Sequence, residues 1–67
     1  MFGNLYLELK EKKITQDKVA EALGISRRAV TLKLKGKTDF TSSEMFEIRK
    51  KFFPNCSLEY LFEKRNK

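Results

Sequence analysis

The stretch Gln16 to Lys35, QDKVAEALGISRRAVTLKLK, constrains the fold more than any other part of the chain. Val19, Ala20 and Leu23 recur at helical spacing and give a first helix one apolar side. Gly24 follows where a left-handed residue ends a helix at little steric cost. Ile25 turns back toward the core, and Ser26 is a good N-cap for a second helix over about residues 27–35. On that helix Val30 and Leu34 face inward at i and i+4, so Arg27, Arg28, Thr31 and Lys33 have to point elsewhere. Ala20 supplies the small side chain that two steeply crossing helices need near their contact. Apolar helix, glycine turn, serine cap and basic second helix together describe a helix-turn-helix, whose second helix suits the DNA major groove.

The flanking sequence also reads as helix. Asn4 to about Lys12 forms a first helix, with Leu5 and Leu9 inside, Phe2 extending that face and Glu8 pairing with Lys12 outside. Lys12-Lys13 lead to Ile14, and Thr15 caps the next helix. Gly36 ends the basic helix, and the polar loop after it is anchored by Phe40. Thr41 and Glu44 have the spacing of a capping box, ahead of a helix with Met45, Ile48 and Phe52 on one side and Glu47, Lys50 and Lys51 on the other. Pro54 stops that helix near Phe53. Ser57 caps a last short helix with Leu58, Leu61 and Phe62 apolar, and residues 63–67 read as a frayed tail. The expectation is one all-α domain over residues 1–67.

Sixty-seven residues lie near the lower size for a single core without staples. One cysteine, Cys56, forbids an intrachain disulfide and reads as a half-buried small apolar residue suited to a reducing cytoplasm. No run approaches the ~18 apolar residues of a membrane span, and the N-terminus has no secretory pattern. There is no His, no metal-ligand cluster and no glycine-rich phosphate loop, so catalysis, a cofactor and a small-molecule substrate are not expected. Glu44 and Glu47 are better explained by capping and solvation. Fifteen Lys and Arg against nine Asp and Glu give +6, which suits a polyanion once the charge lies on the face of the helix-turn-helix.

Through Thr15-Gln16, Val19-Ala20, Leu23-Gly24-Ile25-Ser26, Val30 and Gly36-Lys37, the chain resembles the small phage Cro and CI-type repressors. The likeness continues through Phe40 to Phe62. It implies a compact five-helix, lambda-repressor-like DNA-binding domain, with the helix-turn-helix at its second and third helices. It also implies dimers formed through the C-terminal region on two-fold operators. Many relatives pair an Arg, where this chain has Leu9, with a Glu, where it has Leu34. Here an apolar contact replaces the ion pair, which removes its desolvation cost and also an Arg that touches phosphate in relatives.

The N-terminal end of a recognition helix meets base edges, so Ser26, Arg27, Arg28, Thr31 and Leu32 are the candidate base contacts. Arg matches the O6 and N7 acceptors of guanine, while Thr31 and Leu32 suit a thymine methyl. Outside this frame, Arg27 and Arg28 would simply be a solvated helix face. Gln16, Lys33, Lys35, Lys37 and Thr38 are the candidate phosphate contacts. The resemblance adds that Gln16 braces a recognition-helix residue. The aromatics Phe46, Phe52, Phe53, Tyr60 and Phe62 outnumber what one face of two short helices buries. Either Phe53, Tyr60 and Phe62 belong to a protein interface, or all five fill an aromatic core.

The leading reading is a cytoplasmic operator-binding repressor, associated with the nucleoid through DNA and acting as a homodimer. A rival of another class is an antirepressor that binds a phage repressor through the same helix or the aromatic patch. Non-specific nucleic-acid binding is a third, disfavoured because no aromatic is interleaved with the basic residues.

Overall fold

A computed structural model describes residues 2–63, and residues 64–67 of the expected tail lie outside it. Five helices follow the punctuation of the sequence: α1 (Gly3–Glu11), α2 (Gln16–Leu23), α3 (Arg27–Lys35), α4 (Ser42–Phe52) and α5 (Leu58–Leu61). No strand occurs among the described residues.

The caps show why the boundaries fall there. Thr15, Ser26, Thr41 and Ser57 each take extended backbone, and each side-chain hydroxyl accepts from a backbone N–H three residues on. Both halves of the capping box form, with Thr41 N–H donating to Glu44 Oε1 at 2.9 Å and Glu44 N–H to Thr41 Oγ1 at 3.2 Å. Gly24 and Gly36 end α2 and α3 in the left-handed region, at φ 70° and 86°. The first helix differs. It starts at Gly3, after Phe2, whose N–H donates to the Leu34 carbonyl at 3.1 Å and whose side chain is buried. Beyond its C-terminal end Lys13 is left-handed at φ 58°, where a Cβ is costly, and Ile14 N–H returns to the Leu9 carbonyl at 2.9 Å.

All five helices contribute to one core. Leu5 and Leu9 of α1, Val19 and Ala20 of α2, Val30 and Leu34 of α3, Ile48 of α4 and Leu61 of α5 are all buried in it. Leu9 and Leu34 thus both lie in the apolar interior, as the missing ion pair requires. Cys56 packs partly buried against it. Phe2, Phe40 and Phe62 meet edge to face, with centroids 5.3–6.0 Å apart, so Phe40 is the anchor beneath its loop and Phe62 is packed inward.

Two expectations are corrected here. Phe53 is 1 % exposed and is core, not interface. It sits one residue beyond the last turn of α4 with non-helical backbone, which redirects its side chain off the helical period and into the interior. Glu8 and Lys12 do not pair. Tyr60 donates its hydroxyl to Glu8 Oε2 at 2.9 Å, and Lys12 Nζ lies 5.5 Å from the Phe53 ring centroid. Asn4 is the buried polar residue that sequence reading passed over, its amide donating to the Tyr60 carbonyl at 2.9 Å.

Two substitutions test these contacts by thermal melting. Lys13→Gly relieves the left-handed lysine and is expected to stabilise the fold by up to about 1 kcal/mol; an unchanged or lower melting temperature contradicts this. Leu34→Glu places a carboxylate in the apolar interior without a partner and is expected to abolish cooperative melting, whereas Leu34→Met should cost less than about 1.5 kcal/mol.

Candidate nucleic-acid interface

The left-handed Gly24 reverses the chain, Ile25 N–H bonds back to the Ala20 carbonyl at 3.1 Å, and Ser26 starts α3 by accepting from Ala29 N–H at 3.1 Å. Val30 and Leu34 are then held inside, and the opposite side of α3 is presented outward. Ser26, Arg27 and Arg28 are exposed at its N-terminal end, with Thr31 and Leu32 half-buried one turn later. Arg27 Nε approaches Asp17 at 3.8 Å, but both side chains are over two-thirds exposed (67 % and 71 %), so the pair is weak and readily given up.

Gln16 opens α2 alongside this surface. Its Oε1 accepts from the Thr31 hydroxyl, which also lies 3.1 Å from the Arg27 carbonyl. The bracing that the resemblance implied for Gln16 is therefore present, with Thr31 as the residue braced. It leaves the two amide hydrogens of Gln16 for another acceptor.

Lys35, Lys37 and Thr38 are exposed at the other end of α3 and in the loop beyond, about 12 Å along the helix axis from Arg27. Lys37 N–H closes the helix on the Leu32 carbonyl at 3.0 Å. Lys33 does not join them. Its ammonium pairs with Glu44 at 3.3 Å, donates to the Asp39 carbonyl at 2.9 Å and lies 5.9 Å from the Phe40 ring centroid. Lys33 and Glu44 side chains are only 15 % and 17 % exposed, so Lys33 fastens α3 to the start of α4 and is removed from the set of candidate phosphate contacts.

Burial alone would raise the Glu44 carboxyl. The hydrogen bond from Thr41 N–H and the adjacent Lys33 ammonium outweigh it and hold the group below its ordinary value of 4.5.

Of the three expected interface aromatics, Tyr60 keeps an exposed edge at 38 % while its hydroxyl and carbonyl bind α1. The most exposed aromatic is Phe46, at 57 % on the outer side of α4. Sequence reading also passed over Tyr6 and Lys10 of α1, which lie beside Gln16. Tyr6 follows the core position Leu5 and Lys10 follows Leu9, each one residue off the buried positions, and that offset was the available signal.

The family model described as helix-turn-helix matches residues 5–61, which span the five helices except the first two residues of α1. The chain belongs to the helix-turn-helix family of Cro- and CI-type regulators. Members bind double-stranded DNA, regulate transcription and are generally not enzymes. No curated protein and no solved structure matches the chain significantly. Among the described residues, no helix is long and apolar enough to cross a membrane, and no group of three or more His, Cys, Asp or Glu is placed to hold a metal ion.

The Glu44 contact has a pH signature. Because its carboxyl is depressed in the folded state, the stabilisation is complete above 4.5 and lost as the pH falls through the lowered value. Glu44→Gln keeps the capping geometry without the charge, so its stability should fall less than the native protein's between about pH 6 and pH 3. Equal losses in melting temperature across that window would show that Glu44 contributes nothing to the acid sensitivity.

Proposed function

We propose that this protein is a Cro-like phage or prophage repressor that occupies operator DNA through the major groove and excludes polymerase or a competing repressor. The observation that carries the reading is the Ser26-capped start of α3, with Arg27 and Arg28 exposed beside a Gln16 braced by Thr31. In this proposal Ser26, Arg27, Arg28, Thr31 and Leu32 face the bases. Gln16 holds a phosphate on one side of the groove, and Lys35, Lys37 and Thr38 hold the backbone on the other. Lys33 has no part in this, being engaged with Glu44. The protein works in the cytoplasm as one domain that dimerises on two half-sites about one helical turn apart, with Tyr60 at the interface. A second reading, modulation of another repressor protein, is favoured by Phe46 and Leu7, which are 57 % and 52 % exposed and unused by DNA binding.

Titration onto the protein's own promoter region and onto random duplex, at two salt concentrations, separates the two. The repressor reading predicts tight promoter binding, a large preference over random duplex and steep weakening with salt. Weak and equal binding favours the protein-partner reading. Arg28→Ala is expected to cost about 1–3 kcal/mol on the promoter and to relax preference at one base pair. Equal weakening on both duplexes would instead place Arg28 on phosphate.

A further inference from the structure

Arg27 and Arg28 stand side by side at the start of α3, but their surroundings differ. Arg27 Nε lies 3.8 Å from Asp17 Oδ1. The Arg27 side chain also lines a shallow depression with Thr15 and Gln16, so it leans over the start of α2. The Thr31 hydroxyl, which donates to Gln16, lies 3.1 Å from the Arg27 carbonyl. Two consecutive residues of α2, Gln16 and Asp17, thus meet the beginning of α3, one beside the backbone of Arg27 and the other beside its guanidinium. Arg28 has no ion-pair partner among the described residues.

Asp17 belongs to the first turn of α2, where the helix dipole favours a carboxylate, and α3 has no acidic residue in its own first turn. In the free protein the pair is open to water and adds little to stability. A duplex changes its surroundings in one of two ways. A guanine presents O6 and N7 to the terminal edge of the guanidinium, which leaves Nε against Asp17 with water excluded from around them. A phosphate instead draws the whole guanidinium away. The Asp17 carboxylate is then stranded next to the strand that Gln16 holds, like charge against like charge.

We infer that Asp17 is a specificity-determining residue that makes Arg27 a conditional contact, kept when Arg27 meets a guanine and opposed when it meets a phosphate. The inference rests on the operator-binding reading above, and gives it a repulsive element that acts chiefly on the wrong DNA. Arg28, with no carboxylate beside it, carries no such condition.

The test titrates the wild type, Asp17→Asn, Arg27→Ala and the double variant onto promoter and random duplex at one salt concentration, with melting temperature as the control for folding. Both duplexes meet the same protein sample, so any loss of folded protein cancels from the preference ratio. Asp17→Asn is expected to strengthen random-duplex binding while leaving promoter binding nearly as it was, lowering the ratio by about three- to tenfold. In the Arg27→Ala background the same substitution should not change the ratio further, because the group through which Asp17 acts is gone. An unchanged or higher ratio in Asp17→Asn overturns the inference and leaves the operator reading intact. An equal fall with and without Arg27 also overturns it, since Asp17 would then act on DNA by itself. A wild type with no preference for the promoter overturns both.

Discussion

The relative placement of α2 and α3 is settled within three residues, and the outward surface depends on it. Gly24 takes a left-handed conformation, Ile25 returns its N–H to Ala20, and Ser26 starts the next helix. A Cβ built at Gly24 would meet nothing within 4 Å. The requirement for glycine is therefore the sign of φ and not lack of space. Only with this turn do Gln16 and Thr31, fifteen positions apart, come within hydrogen-bond reach. The same turn buries Val30 and Leu34 and leaves Arg27 and Arg28 outward.

The basic residues of α3 divide into two roles that composition does not distinguish. Arg27, Arg28 and Lys35 are exposed, whereas Lys33 is folded back over Phe40 onto Glu44 and the Asp39 carbonyl. Glu44 in turn belongs to the capping box of α4. The end of α3, the loop after it and the start of α4 are thus locked by one ammonium–carboxylate contact that is mostly shielded from solvent. Shielding is what makes this pair count, where the exposed Arg27–Asp17 contact does not.

Features encoded within a few residues were legible from the sequence. The four hydroxyl caps, the two glycine stops, the capping box and the inward positions of all five helices follow from short-range chemistry. The start of α3 at Ser26 was legible for the same reason, whereas the bracing by Gln16, fifteen positions from Thr31, came from family likeness alone. What was not legible depends on partners distant in sequence. Whether Lys33 turns inward depends on where α4 begins, and whether Phe53 is core depends on how the chain leaves α4 after the last helical turn. Asn4 reads as an ordinary polar start to a helix until α5 arrives beside it, 56 positions later. Lys13 shows that a left-handed turn does not always advertise itself with glycine.

The three-ring contact of Phe2, Phe40 and Phe62 joins the residues that flank α1 and α5 to the loop after α3. Phe2 also holds the Leu34 carbonyl, in the last turn of α3. Loosening Phe62 removes a wall from the pocket of Phe2, and loosening Phe2 frees the backbone behind the helix that carries Arg27 and Arg28. Phe2 thus links the residue that follows α5 to the last turn of α3 through one ring contact and one backbone hydrogen bond.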